Sequence, residues 1–328
     1  MHAPGDLRSE VRGKSLGILA GVTTTEPNGE RTRRDVALTL AGGGNRAFYQ
    51  LGLLRGFGPL LLPRLRAVAA CSAGACIAVL YLAQREREAH AFWRERRAGV
   101  RKNFELSRLL RGLRPTPHAP IYYDTVVHAL RDGGLERLRA QPFPVLVLTS
   151  AIPAWMGSFT AVGLGLSLYS LEKYLRPRQL HPRLGRSLGF SPQVFDAREC
   201  ERPEQVADLI LASSATPPFT PVGRYAGTRL LDGGMVDNVP AFVAEQISDV
   251  RRNLILLTRP YPPGVTGRQG HRLYLAPSAP TPISRWDYTR PDRLDATLDM
   301  GERESELHAP HVHRFLDEMG ASGGRGDG

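Results

Sequence analysis

Three short motifs supply, in chain order, the parts of an acyl-transfer site. They are the glycine run Gly42-Gly43-Gly44-Asn45-Arg46, the serine of Ala70-Cys71-Ser72-Ala73-Gly74, and the carboxylate that opens Asp232-Gly233-Gly234. A serine hydroxyl is a poor nucleophile unless a tight, strained turn presents it beside a base. Such a turn admits only small side chains two residues before and after the serine, and Ala70 and Gly74 meet that demand. A helix opening at Ala73 adds its N-terminal dipole, which favours negative charge developing near Ser72. Consecutive glycines leave backbone N–H groups unobstructed, so the amides of Gly42, Gly43 and Gly44 suit a tetrahedral oxyanion; losing one such donor costs roughly 3 to 4 kcal/mol. Asp232 has an ordinary pKa of about 3.9. It works as a base only where water is excluded and the serine lies within hydrogen-bond reach.

Each motif has a plainer reading on its own. Small-x-Ser-x-small pentapeptides arise by chance, and Asp-Gly-Gly is a common turn. A phosphate-cradling loop is the rival for the glycines, but the Gly-Lys-Ser/Thr ending of a P-loop is missing, and GxGxxG spacing fails because position 47 is Ala. Arg46 serves either to steady the loop or to meet a lipid phosphate with its guanidinium. Asp237-Asn238-Val239-Pro240 reads as a loop anchor and helix start.

The elements around these motifs converge. Asp35 to Leu40 is a buried strand closed by glycines, and Arg46 to Leu62 has helical spacing, with Gly52, Gly56 and Gly58 loosening its far end. Arg66 to Cys71 is a second strand, Ala73 to Gln84 a second helix, and Arg85 to Arg97 a charged continuation. This β-loop-α-β-turn-α order makes the two strands parallel and puts the triglycine and Ser72 at neighbouring carboxyl ends, where open α/β sheets bind ligands. Further on, a helix spans Tyr122–Leu130, strands span Pro144–Ser150 and Asn253–Thr258, and helices span Glu204–Ala212 and Asp292–Asp317. Leu230-Leu231 leads into the Asp232 turn.

At 328 residues the chain fits one large α/β domain. Residues 1–34 read as a polar N-terminal extension with a short strand near Leu16–Val22, residues 35–318 as the domain, 151–200 as an insertion over the active-site mouth, and 319–328 as a disordered tail. Within the insertion, Trp155 to Leu171 carries apolar surface expected to touch acyl chains or a bilayer. The uncharged run Ala140–Leu171 is broken by Pro142, Pro144, Pro153, Gly157, Gly163 and Gly165, so its first part reads as a strand rather than a membrane span.

Net charge is +11, yet only three of the 43 basic residues, Lys14, Lys102 and Lys173, are lysines. That skew fits a genome-composition habit as well as an anionic partner. No aromatic-basic interleaving points to nucleic acid, which is not an expected partner. Cys71, Cys76 and Cys200 form no paired framework, and no zinc-spaced Cys/His cluster occurs. With no signal-peptide pattern near Met1, the expected residence is cytoplasmic, with peripheral contact to a membrane.

Taken together, the glycine loop, the serine elbow, Ala212-Ser213-Ser214-Ala215-Thr216-Pro217 and Asp232 through Pro240 resemble the patatin-like phospholipase family. The motifs run in family order from about Val36 to Thr258, and Ser284-Arg285-Trp286-Asp287-Tyr288 extends the likeness. The resemblance implies a three-layer α/β/α fold with a mostly parallel central sheet. It also implies a lipid acyl hydrolase with a Ser-Asp dyad, acting on phospholipid or another acyl-ester lipid without metal or cofactor. Ser72 would be the nucleophile and Asp232 the base; Gly42, Gly43 and Gly44 the oxyanion hole; Asn45 and Arg46 its support. Ala70, Cys71, Ala73 and Gly74 would form the elbow, and Gly233 and Gly234 the base loop. Two departures stand out, Ala70 and Ala47 where the family has glycines, and both are small. Two other readings remain: a Ser-His-Asp esterase drawing on His308, His311 or His313, and a lipid-binding module that has lost turnover.

Overall fold

Val36-Ala37-Leu38-Thr39-Leu40 alternates large and small side chains, and this alternation sorts the layers. In the computed structural model, which describes residues 34–111, 115–153, 155–157, 179–181, 188–217 and 220–317, this run is the strand β1 (Val36–Leu40). Val36, Leu38 and Leu40 point into the main apolar core, and Ala37 points to the opposite face, as the two-residue period of a strand requires. The other strands are β2 (Leu65–Cys71), β3 (Val145–Ala151), β4 (Ser191–Asp196), β5 (Gly223–Tyr225), β6 (Thr228–Asp232), β7 (Arg252–Leu256), β8 (Gly267–Gln269) and β9 (Arg272–Leu275). Helices α1 (Phe48–Leu61), α2 (Ala73–Leu82), α3 (Glu86–Arg97), α4 (His118–Leu130), α5 (Gly134–Arg139), α6 (Pro203–Ser213), α7 (Gly234–Asp237), α8 (Ala241–Ala244) and α9 (Pro291–Asp317) cover its two faces.

The nine strands form one sheet. β3, β2, β1, β7 and β9 run parallel through its centre, and β4, β5, β6 and β8 add antiparallel pairings around them. The result is the expected three-layer α/β/α arrangement. One layer is thick: α1, α2, α4 and α9 bury large side chains such as Leu54, Phe57, Ile77 and Phe315 against the sheet. Each such burial contributes about 1.5 to 3 kcal/mol. The other layer is thin, because Ala37, Ala67 and Ala69 present a smooth face on which Val243 and Ala244 of α8 lie close.

Three local expectations change. The glycines of α1 do not loosen its end: a Cβ on Gly52 would stand 2.2 Å from the Leu298 carbonyl oxygen, so this glycine is a seam along which α9 packs on α1. α3 is not a continuation of α2, since Gln84 takes a positive φ of 54° and breaks the chain direction before Glu86. The segment read as an insertion closes with β4, a sheet strand paired along β3 from Leu146↔Asp196 to Ala151↔Ser191. Its alternation was hidden by Pro192 and by half-exposed positions. The strand near Leu16–Val22, residues 158–171 of the apolar stretch and the 319–328 tail lie outside the described residues. No helix among the described residues is long and apolar enough to cross a membrane.

Candidate active site

One edge of β3 brings Ser72 and Asp232 together. β4 occupies the other edge from Leu146 to Ala151, so β2 and β6 share what remains. β2 pairs with Val145 to Leu148 and ends with Cys71 opposite Leu148; β6 arrives from the opposite direction and ends with Asp232 opposite the next residue, Thr149. Ser72 follows β2 directly. The two strand ends therefore meet head to head, and both Ser72 and Asp232 line a cavity edged by the polar side chains of Thr216, Asn238 and Arg285, with about 450 Å³ of empty space that includes its open mouth.

Ser72 sits at φ 52°, ψ −134°, a conformation side chains avoid and which marks a strained elbow. Several contacts hold it there. Its amide donates to the Ser213 hydroxyl at 2.8 Å, and that hydroxyl donates onward to the Leu148 carbonyl at 2.7 Å. Its carbonyl accepts from the Tyr122 hydroxyl at 3.4 Å. Behind it, a Cβ on Gly74 would lie 2.6 and 2.7 Å from the Leu40 and Ala41 carbonyl oxygens, so the start of α2 packs on the end of β1 only with glycine there. Ala70, which departs from the family glycine, is buried and pairs with Leu40 without disturbing the ladder.

Asp232 is fixed by its own turn. Gly234 donates its amide to Oδ1 at 2.7 Å, the Thr216 hydroxyl approaches Oδ2 at 3.4 Å, and the backbone amides of Asp232 and Gly233 donate to the carbonyls of Ala215 and Ser213. Burial raises the carboxyl pKa above its ordinary value. The Gly234 amide, the Ser72 hydroxyl, the Arg285 guanidinium and the Thr216 hydroxyl pull it back, in that order of weight. The carboxylate is thus a stronger base than a solvated one while four polar neighbours favour its ionised form.

The glycine loop requires one correction. The Gly42 amide donates to the Asn238 carbonyl at 3.0 Å, and the Gly42 carbonyl accepts from Asn238 Nδ2 at 3.1 Å and from the Thr258 hydroxyl at 2.9 Å. An engaged amide cannot hold an oxyanion. The amides of Gly43 and Gly44 have no acceptor among the described residues, and both glycines line the polar cavity with Ser72. Asn45 and Arg46 brace the loop: Asn45 Nδ2 donates to the Asp287 carbonyl at 2.7 Å, its amide to the Arg285 carbonyl at 3.0 Å, and Arg46 Nε to the Gly43 carbonyl at 3.2 Å. Asp237 anchors its loop by accepting from the Val239 amide at 2.9 Å and meeting His181 Nδ1 at 3.0 Å.

A second cavity, of about 380 Å³, opens on the other side of Ser72. Phe48, Ile77, Trp93, Tyr122, Trp286 and Tyr288 give it an apolar wall, and Gly44, Ser72 and Trp286 border both cavities. His118 also lines it, bonded to the Tyr288 hydroxyl and stacked on Tyr122. Burial lowers the His118 pKa to about 3, so the ring stays neutral. Among the described residues, neither cavity is lined by His308, His311 or His313. His308 lies 3.5 Å from the Tyr49 hydroxyl, and the other two are exposed. No group of His, Cys, Asp and Glu among the described residues is placed to hold a metal ion.

Several of these residues were not singled out in the sequence. Ser213 and Thr216 lie inside a quoted motif with no chemistry attached, and their hydroxyls touch the Ser72 amide and the Asp232 carboxylate. Arg285 and Trp286 were part of the likeness only. His118 carried no signal, since Tyr288, which its ring meets together with Trp286, lies 170 residues along the chain.

No curated protein sequence matches the chain. Among solved structures it is similar to VipD from Legionella pneumophila, at 11% identity and a TM-score of 0.43 over 87% of this chain and 67% of that one. It is similar also to human GIVD cytosolic phospholipase A2, at 11% identity and a TM-score of 0.42 over 89% of this chain and 64% of that one. The chain thus spans about two thirds of the length of each. The family model for patatin-like phospholipase matches residues 38–245, a span that runs from β1 through the glycine loop, the serine elbow and the aspartate turn to α8. With that match over more than half its length, the chain belongs to the patatin-like phospholipase family.

Proposed function

We propose that the protein is a lipid acyl hydrolase that cleaves a carboxylic ester through a covalent acyl-serine, with Ser72 as nucleophile and Asp232 as its general base. The observation that carries this reading is the junction on β3, which sets the strained serine against a half-buried carboxylate in a cavity shared with two glycine amides that have no acceptor among the described residues. Asp232 takes the hydroxyl proton as Ser72 Oγ attacks the ester carbonyl, and the amides of Gly43 and Gly44 receive the charge that forms on the carbonyl oxygen. The C–O bond then breaks, and the leaving alcohol takes the proton back from Asp232. Water, deprotonated by the same carboxylate, attacks the acyl-serine; collapse of that intermediate returns the Ser72 hydroxyl and frees the fatty acid.

The two cavities divide the substrate. The apolar one suits the acyl chain, and the polar one, which holds Asp232 and Arg285, suits the alcohol portion and the incoming water. A dyad is favoured over a triad because the histidine that lines the acyl cavity, His118, engages its Nδ1 with the Tyr288 hydroxyl, while Asp232 shares the other cavity with Ser72. A phospholipase A or lysophospholipase substrate fits a leaving group with a phosphate near Arg285.

The reading is tested by mass spectrometry of the products from mixed phospholipids, lysolipids and neutral lipids. Wild type is expected to release fatty acid, and Ser72→Ala and Asp232→Asn are expected to release none above background. Equal release from Ser72→Ala overturns the assignment.

A further inference from the structure

Residues 101–110 join the rim of the acyl cavity to solvent and leave a cluster of large apolar side chains in water. Phe104 is 47% exposed, Leu106 64% and Leu110 91%, the last two on a 3-10 helix, Leu106–Arg111. One exposed leucine needs no explanation; three large apolar groups within seven residues do. Basic residues flank them in the chain. Arg101 and Lys102 are exposed, Arg108 is half-buried, and the sequence from Arg101 to Arg114 holds five basic residues against one carboxylate, Glu105, which accepts from the Ser107 hydroxyl at 3.0 Å.

Contacts at Asn103 and Glu105 tie the start of this segment to the active site. Asn103 Oδ1 accepts from the Tyr288 amide at 2.6 Å, and Asn103 Nδ2 reaches Asp287 Oδ1 at 3.4 Å. Tyr288 and its neighbour Trp286 wall the acyl cavity. Two residues on, the Glu105 amide donates to the Pro115 carbonyl at 2.8 Å, three residues before His118, which lines the same cavity. Trp155, 77% exposed, follows the carboxyl end of β3 and so lies at the same end of the sheet as Ser72.

We propose that Phe104, Leu106 and Leu110, with Arg101 and Lys102 beside them, seat the protein on an anionic lipid bilayer with the rim of the acyl cavity turned toward the membrane. Apolar side chains enter the headgroup region while the flanking cations meet lipid phosphates, the pairing that interfacial segments use. The charge selects an anionic lipid surface over a partner protein's apolar groove. The inference rests on the acyl-hydrolase reading for its purpose and on the surface alone for its geometry.

The test is flotation of the full chain with vesicles of phosphatidylcholine, with and without phosphatidylglycerol, beside turnover of a short soluble ester. Wild type is expected to float with the anionic vesicles and to be released by salt. Leu106→Ser with Leu110→Ser is expected to weaken vesicle partition about tenfold or more, with thermal melting and soluble-ester turnover unchanged. Arg101→Ser with Lys102→Ser is expected to abolish the preference for phosphatidylglycerol. Partition of the double-leucine variant equal to wild type, or no partition of wild type onto anionic vesicles, overturns the proposal. Vesicle partition without soluble-ester turnover in wild type leaves the docking surface standing and overturns the acyl-hydrolase reading.

Discussion

The Ser213 hydroxyl links Ser72 to the sheet, accepting from the Ser72 amide at 2.8 Å while donating to the Leu148 carbonyl at 2.7 Å. A buried hydroxyl that both accepts and donates fixes the elbow at the point where a small displacement moves the nucleophile. Ser213→Ala leaves a buried amide without an acceptor, a loss of about 1 to 3 kcal/mol. Turnover is expected to fall tenfold to a hundredfold with little change in KM, because misplacement by an ångström is worth about that much. Steady-state kinetics of an ester substrate checks it, and unchanged kcat shows that the elbow holds without Ser213.

Strain at Ser72 gives a stability test independent of catalysis. With φ at 52°, any side chain at this position is held in a sparsely populated conformation, and glycine alone relieves it. Ser72→Gly is therefore expected to be more stable than Ser72→Ala by roughly 1 kcal/mol. Thermal or urea unfolding of the two variants measures the difference, and equal stabilities mean the elbow is not strained.

With Asp232 as the proposed base, its titration sets the expected pH dependence. Its carboxyl pKa is raised, and the base acts when ionised, so activity is expected at neutral pH and lost as pH falls through a value above that of a free aspartate. Arg285 pulls the pKa down, so Arg285→Gln is expected to move this acid limb to higher pH. The linkage has the opposite sign for stability. A carboxylate whose folded pKa exceeds its unfolded one destabilises the fold once both states are ionised, and ceases to do so below the unfolded value of about 3.9. Asp232→Asn is expected to melt at a higher temperature than wild type at neutral pH, with the gain shrinking toward pH 4. Rate profiles and melting curves across pH read both effects.

The late histidines serve as a control on the dyad. His308, His311 and His313 ride on α9 away from both cavities. Replacing all three with Gln is expected to leave ester turnover within about twofold of wild type, since none of them lines either cavity. Collapse of turnover in a folded variant points to a triad.

The sheet's centre was legible in the chain because β1, β2, β3 and β7 are short apolar runs with turn residues at their ends. Ser72, Asp232 and the glycines were legible because a strained turn, an exposed amide and a carboxylate turn each demand particular residue types in a fixed order. What escaped notice depends on pairing between distant segments. That the Gly42 amide is engaged follows from Asn238, 196 residues away. β4 escaped because Pro192 and mixed exposure blur its period, and the cavity wall because Phe48, Trp93, Tyr122 and Tyr288 meet only in the folded chain. The distinction is physical: local backbone chemistry leaves a signature in a pentapeptide, and tertiary packing leaves none.

The central claim is that one hydroxyl is activated by one carboxylate. Its most direct measurement is the rate at which a fluorophosphonate probe modifies the intact protein, with the modified peptide located by mass spectrometry. Wild type is expected to carry the probe on Ser72, and Asp232→Asn to react about a hundredfold more slowly or less. Modification of another residue, or equal rates in the two proteins, contradicts it.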